Sequence, residues 1–197
     1  LRDLSVGFKT QQGTLNAINN LNLQIGKGEI VCLVGESGSG KTITSLSIMR
    51  LIDFNNGEVT NGDIQLEGQS LIGLSKKKIS ELRGKKIAMI FQEPMSALDP
   101  VYSIGFQMTE VMIRHNRVSK AEATKEAIRL LQRVGIPEAE IRIKQYPYEL
   151  SGGMLQRVMI AMALACGPEL LIADEPTTAL DVTTQAQILN LLRELKD

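Results

Sequence analysis

The sequence contains no tryptophan, and aromatic residues make up only 4% of its 197 residues. Its two cysteines, Cys32 and Cys166, lie in apolar runs without CxxC spacing. This pattern excludes a disulfide framework and a cysteine zinc site, and it favours a reducing compartment. Long apolar runs are also lacking, since the longest extends from Val158 to Cys166. A membrane-spanning helix needs about 20 apolar residues, so none is expected.

An excess of charge of one sign is missing as well. Lysine and arginine total 22, aspartate and glutamate total 22, and the formal net charge is zero. Proteins that bind the nucleic-acid backbone without sequence preference usually carry a basic excess, so no nucleic-acid partner is expected. The apolar content of 43% is enough for a packed core and excludes wholesale disorder. The length fits one domain, or one domain with an inserted sub-domain.

Hydrophobic patterning predicts strands alternating with helices along the chain. Strands are predicted at residues 4–8, 17–25, 29–34, 62–66, 86–91 and 169–173. Helices are predicted at 41–50, 105–134 with a break near 115–119, 151–166 and 182–196. Ser119 followed by Glu122 predicts a capping box. This order indicates an α/β fold with a parallel sheet covered on both faces, and residues from about 100 to 165 form a candidate helical sub-domain.

A glycine-rich segment between the predicted strand 29–34 and the following helix fits the pattern GxxxxGK[ST]. Its residues are Gly35, Glu36, Ser37, Gly38, Ser39, Gly40, Lys41 and Thr42. Glycines let successive backbone N–H groups converge on phosphate oxygens, and the helix start adds its positive dipole end. We expect Lys41 to reach the β- and γ-phosphates and Thr42 to offer its hydroxyl to Mg²⁺. The alternative is a glycine-rich turn that merely precedes a helix.

Two adjacent carboxylates, Asp174 and Glu175, follow the apolar run 170–173. Neighbouring residues at a strand end point to opposite sides, so one can hold Mg²⁺ while the other has a different task. Phosphoryl transfer to water needs a metal and a group that orients or deprotonates the water. We therefore assign Asp174 to Mg²⁺ and Glu175 to the attacking water. Acidic residues that simply end a strand are the alternative.

The segment LSGGM at residues 150–154 lies between these two sites. With it, the chain resembles the ATP-binding subunits of ABC transporters, whose signature is LSGGQ. Gln92 after a predicted strand and the run Ala179-Leu180-Asp181 fit the family's order of motifs. The segments GESGSGKT, IFQEPMSALDP, YPYELSGGMLQRVMIAMALA and LLIADEPTTALDV resemble the importers of oligopeptides, dipeptides and related solutes. Glutathione and nickel importers belong to this subfamily too, so the resemblance does not fix the cargo.

The resemblance implies a P-loop NTPase core of the ABC type, with an N-terminal antiparallel β sub-domain and an inserted helical sub-domain. It implies ATP and Mg²⁺ as cofactors, with Gln92 sensing Mg²⁺ and the attacking water. Ser151, Gly152 and Gly153 would form a second phosphate cradle, closing over ATP held by the partner subunit. Asp181 would bridge the two subunits, or cap the following helix, or both. Phe8 lies where the family stacks an aromatic on adenine; packing in the core is its alternative.

The implied partners are a second ATP-binding subunit, identical or paralogous, and membrane permease subunits. An extracytoplasmic solute-binding protein would act indirectly, and the subunit would lie on the cytoplasmic face of the cell membrane. Two alternatives stay open. One is a nucleotide-binding module without turnover. The other is an ABC-type ATPase of DNA repair or translation, which the neutral charge and the 57 residues between Gln92 and Leu150 argue against.

In one respect the chain departs from the family. The family carries a γ-phosphate histidine one strand beyond the catalytic glutamate, and the sequence ends at Asp197 before that point. The single histidine, His115, lies in the helical block and does not match it. We therefore expect residues 1–197 to be one truncated ABC ATPase domain without the C-terminal strands.

Overall fold

The structure, a computed structural model, describes residues 1–177 and 180–194. It divides into two compact units, Leu1–Ser80 and Glu81–Asp197. Ala179 of the expected subunit-bridging run lies outside the described residues, as do Leu195 and Lys196 of the last predicted helix. Among the described residues, no helix combines the length and the apolar character that crossing a bilayer requires.

The first unit begins with the predicted antiparallel sheet. Its strands are β1 (Arg2–Thr10), β2 (Gly13–Leu21) and β3 (Gly57–Asp63), in the order β2-β1-β3. Leu4 and Val6 on β1 are fully buried, which explains why the alternation of apolar and polar residues predicts this strand. The predicted strand 17–25 is shifted toward the N-terminus, although Leu1 and Leu23 still exchange backbone hydrogen bonds of 2.7 and 3.2 Å.

Short elements complete the first unit. They are α1 (Lys41–Ile48), a 3₁₀ turn (Ile52–Phe54), β4 (Gln65–Leu66), β5 (Gln69–Ser70), and α2 (Lys76–Leu82), which runs across the boundary. The strand predicted at 62–66 is divided between the end of β3 and the hairpin β4–β5.

The prediction of a strand at residues 29–34 is wrong. This segment has no strand assignment, and Ile30, Leu33 and Val34 are exposed, Val34 to 94%. A strand exists only when a neighbour receives its backbone hydrogen bonds, and no described strand pairs with this segment. The apolar pattern is typical of a buried strand, but no strand among the described residues pairs with this segment.

The second unit is mainly helical around one core. Its elements are β6 (Ile87–Ile90), α3 (Pro94–Ala97), α4 (Ile104–Asn116), α5 (Lys120–Arg133), α6 (Ala139–Arg142), a 3₁₀ turn (Pro147–Glu149), α7 (Gly152–Leu164), β7 (Leu170–Ala173) and α8 (Val182–Glu194). The predicted break between α4 and α5 and the Ser119–Glu122 capping box are both confirmed. Met108, Leu131, Ile160 and Ile188 are fully buried in the core.

The sheet of the second unit is smaller than expected. Strands β6 and β7 are parallel, with Ile87 opposite Leu170 and Ile90 opposite Ala173. All four residues of β6 are buried, but β7 is only half-buried. The prediction of parallel strands is thus confirmed, whereas the wide sheet covered on both faces is not present in the described residues.

Candidate functional site

The glycine-rich loop of the first unit forms before α1. Gly38 and Gly40 have φ values of +81° and +93°, in the left-handed region that favours glycine. A Cβ on Gly35 would lie 2.6 Å from Ser39 Oγ, so a larger residue there would displace the Ser39 side chain. Ser39 N–H donates to the Glu36 carbonyl at 3.2 Å and closes the turn. Local bonds and backbone conformation thus shape the loop without a preceding strand.

Lys41 is the first residue of α1 and curls back over the loop. Its Nζ donates to the carbonyl oxygens of Gly35 at 2.9 Å and Glu36 at 3.0 Å. Gly40 caps the helix without a side chain, so the first N–H groups of α1 receive no side-chain acceptor from it. The positive end of the helix dipole makes such a terminus suited to anions. Thr42, next in the chain, is exposed.

The acidic pair of the second unit lies where β7 ends. Asp174 is 7% exposed, and its backbone N–H donates to the Ile90 carbonyl of β6 at 3.0 Å. Glu175 is exposed and has a φ of +46°, which is uncommon for a residue other than glycine. Its Oε2 accepts a hydrogen bond of 2.9 Å from Gln92 Nε2. The structure therefore brings together Gln92 and Glu175, which are 83 residues apart in the sequence.

The signature segment starts α7. Ser151 is the N-cap, and its Oγ accepts from the Met154 backbone N–H at 3.4 Å, a long hydrogen bond. A Cβ on Gly152 would meet no atom within 4 Å, whereas a Cβ on Gly153 would lie 3.3 Å from Thr184 Cγ2. The space next to the Gly152 Cα is thus empty, whereas Gly153 packs against α8.

Asp181 caps the start of α8. Its carboxylate accepts from Thr184 N–H at 3.0 Å and Thr184 Oγ1 at 2.6 Å. These hydrogen bonds, the one from the hydroxyl first, lower the pKa of Asp181 below its ordinary value. The capping alternative for Asp181 is therefore observed directly, and the bridging role stays a prediction.

Phe8 lies on β1 opposite Gly57 of β3. Its ring is half-buried, and a Cβ on Gly57 would lie 2.8 Å from Phe8 Cε1. The ring thus packs on the glycine backbone, and the stacking role stays a prediction.

Two residues that sequence reasoning missed also bind the site together. Gln185 Nε2 donates to the carbonyls of Thr177 and Leu180 at 3.0 and 3.1 Å, fixing α8 to the segment that follows Glu175. Arg157 of α7 bonds to Gln187 of α8 at 2.6 Å. The partner of Arg157 lies 30 residues away, so no local pattern predicts that contact.

Comparisons of the sequence with known proteins give a consistent result. The family model described as "ABC transporter" matches residues 18–178. The chain is 53% identical to the oligopeptide transport ATP-binding protein OppD of Bacillus subtilis, covering the whole chain and 55% of that protein. It is 50% identical to OppD of Escherichia coli and 48% identical to the dipeptide transport ATP-binding protein DppD of Lactococcus lactis, covering 58% and 56% of them. The chain thus spans a little over half the length of these relatives.

Solved structures show the same likeness. The dimeric cassette MJ0796 in a post-hydrolysis state with ADP and Pi matches with a TM-score of 0.88 and 31% identity, over the whole chain and 82% of that one. CbiO1 of Clostridium perfringens, described as part of the complex cbiONQ, matches with a TM-score of 0.77 and 27% identity, over 99% of this chain and 74% of that one. These matches confirm the predicted fold class, an ABC-type nucleotide-binding domain with an antiparallel β part and a helical part.

Proposed function

Because the chain belongs to the ABC transporter family, we propose that it binds and hydrolyses ATP to drive the import of peptides or related small solutes. The hydrogen bond between Gln92 and Glu175, next to the buried Asp174, carries the proposal. It joins, at the neighbouring ends of the parallel strands β6 and β7, groups suited to hold a metal and orient a water. The names of the relatives, which transport oligopeptides and dipeptides, support the cargo class.

Each site residue has a role in this proposal. The loop from Gly35 to Thr42 holds the phosphates of ATP through its backbone N–H groups and Lys41 Nζ. Thr42, Gln92 and Asp174 are the proposed Mg²⁺ ligands, which fits the few protein oxygens that Mg²⁺ takes beside substrate phosphates. Bound Mg²⁺ supplies charge neutralisation at the phosphates. Glu175 orients the attacking water and accepts its proton.

A second copy or a paralogue completes the site in this proposal. Gly152 has open space around it, and among the described residues the Ser151 hydroxyl accepts one hydrogen bond, a long one of 3.4 Å. Both groups are therefore free to contact a phosphate from another subunit. Head-to-tail pairing is supported by the likeness to a cassette that is dimeric with ADP and Pi.

The permease is the proposed membrane partner, on the cytoplasmic face of the cell membrane. An exposed aromatic pair supports it, because Tyr102 and Phe106 stack with ring centroids 4.6 Å apart, and Phe106 is 49% exposed. Exposed aromatic pairs are suited to protein interfaces. Phe106→Ser should prevent co-purification with the permease and leave ATP hydrolysis by the separate protein unchanged. Leu189→Ser, an equally exposed site on α8, is the control that should retain the complex.

Steady-state hydrolysis of Mg-ATP tests the proposed activity. Glu175→Gln should abolish turnover and leave ATP binding intact, because the amide keeps the shape but cannot accept a proton. Glu169→Gln is the matched control at the other end of β7, where the carboxylate pairs with Lys86 at 2.6 Å. This exposed pair contributes about 0–1 kcal/mol, so turnover should persist in the control. Full turnover in Glu175→Gln, or saturable ATP binding without any turnover in the unaltered protein, would contradict the assignment.

A further inference from the structure

We propose that Arg157 is a positioning residue that fixes the signature helix α7 to α8, so that the two segments of one chain act on ATP in concert. Arg157 lies on α7, six residues after Ser151, and is half-buried. The proposal rests on the proposed function, because it assigns α7 and α8 to two different ATP sites of a head-to-tail pair.

The guanidinium of Arg157 connects three elements. Its Nη1 donates to the Val134 carbonyl at 2.6 Å, at the C-cap of α5, and its Nη2 donates to Gln187 Oε1 of α8 at 2.6 Å. A helix C-terminus has carbonyls without intrahelical partners, and an arginine satisfies one of them here. The planar fork allows both donations at once, which a lysine ammonium on a flexible stem does not reproduce in the same geometry.

The chain next to Val134 is shaped to admit this side chain. Gly135 has a φ of +77°, and a Cβ at that position would lie 3.0 Å from Arg157 Nη1. A larger residue would therefore crowd the guanidinium and strain the backbone together. The second unit thus accommodates the arginine by backbone conformation as well as by hydrogen bonds.

The contact with α8 continues toward the catalytic groups. Gly153 of the signature lies against Thr184, whose N–H and hydroxyl bind Asp181. Gln185 Nε2 holds the carbonyls of Thr177 and Leu180, on the segment that leads back to Glu175. A displacement of α7 is therefore transmitted to α8 and to the strand end that carries Glu175.

This connection has a functional consequence in a head-to-tail pair. The signature of one chain would contact ATP held by its partner, whereas Glu175 of the same chain would act on its own ATP. Because Arg157 fixes one segment to the other, engagement at the first site biases the geometry of the second. Coupling of this kind is measured as cooperativity between the two sites.

Substitutions of Gln187 test the proposal, because this residue is exposed and is not among the residues proposed to hold nucleotide or metal. In the protein that contains this chain, Gln187→Ala should lower kcat for ATP hydrolysis by roughly two- to thirtyfold, the range in which connecting residues alter coupling. The Hill coefficient should fall toward one, while the affinity for ATP at the phosphate loop stays unchanged. Gln187→Glu keeps an oxygen acceptor for the guanidinium and should retain both kcat and cooperativity.

Arg157→Lys is the second variant, and it should show the same kinetic defect as Gln187→Ala. The double variant should be no worse than Arg157→Lys alone, because both changes remove one interaction. A merely structural role would lower thermal stability and leave kcat and the Hill coefficient of the folded protein unaltered; that result in Gln187→Ala overturns the proposal. Absence of turnover in the unaltered protein would overturn the proposed function, and this inference with it.

Discussion

The serines that cap α7 and α5 allow a role in ATP hydrolysis to be separated from a role in stability. Ser151 and Ser119 are both N-caps, and their Oγ atoms accept from backbone N–H groups at 3.4 and 3.3 Å. Only Ser119 has a reciprocating partner, because Glu122 Oε2 accepts from Ser119 Oγ at 2.6 Å and from Ser119 N–H at 2.9 Å. The residue at the same position after Ser151 is Met154, which cannot reciprocate.

A change to alanine should therefore reduce the stability of the fold more at Ser119, and ATP hydrolysis more at Ser151. Ser151→Ala loses one long hydrogen bond, which we place at about 0.5 kcal/mol, the low end for helix caps. Ser119→Ala loses both hydrogen bonds of the hydroxyl, one with Glu122 N–H and one with Glu122 Oε2, and should cost about 1–2 kcal/mol. For a chain of this length these values correspond to decreases in Tm of roughly 1–2 °C and 2–8 °C.

The rate of ATP hydrolysis should fall more in Ser151→Ala than in Ser119→Ala. If the Ser151 hydroxyl binds a phosphate of the partner's ATP, its loss removes a hydrogen bond to a charged group. Such a bond is worth about 1.5–3 kcal/mol, so kcat/KM should fall roughly ten- to 150-fold. Ser119→Ala should retain turnover at a temperature where both variants are folded.

Thermal unfolding followed by circular dichroism, together with steady-state ATP hydrolysis, measures both effects. The reasoning is refuted if Ser151→Ala keeps full turnover, or if the two variants lose turnover in proportion to their loss of stability. In either case Ser151 would be a helix cap without a role at the nucleotide.

Two further predictions concern other parts of the chain. Phe8→Ala should weaken ATP binding by about 1–3 kcal/mol if the ring stacks on adenine, whereas Leu15→Ala, at its cross-strand neighbour, should leave calorimetric Kd unchanged. Burial, with Arg114 and Lys85 nearby, lowers the pKa of His115; as the single histidine, it should titrate by NMR below its ordinary value of about 6.5. The unfolded chain then takes up the proton first, so stability should fall as pH drops from 7 through the folded pKa, and His115→Gln should flatten that decrease.

The helices were predictable because their signals are local. The Ser119–Glu122 capping box and the spacing of apolar residues along α5 act within a few residues of each other. The strand predicted at 29–34 shows the opposite case, since a strand depends on hydrogen bonds from a neighbour that may lie anywhere in the chain. Its apolar composition is typical of a strand, but whether a neighbouring strand pairs with it depends on the fold of the whole domain.

The same distinction applies to the candidate site. The loop from Gly35 to Thr42 was predictable, because its phosphate-binding geometry comes from consecutive residues. The resemblance assigned Gln92 to the attacking water that Glu175 was expected to orient, but the hydrogen bond between them was not predicted, because no local pattern joins positions 83 residues apart. Arg157 was not identified at all, since its two partners lie 23 and 30 residues away and neither belongs to a motif.

A complementation assay tests the central claim, that ATP lies between the phosphate loop of one chain and the signature of another. Lys41→Ala disables a loop and Ser151→Ala weakens a signature, so each variant alone should hydrolyse ATP poorly. In a mixed dimer, the intact loop of one variant meets the intact signature of the other. An equimolar mixture that assembles at random into two-fold dimers should regain about a quarter of the unaltered turnover per chain. Turnover that stays at the mean of the two separate variants would contradict the shared site.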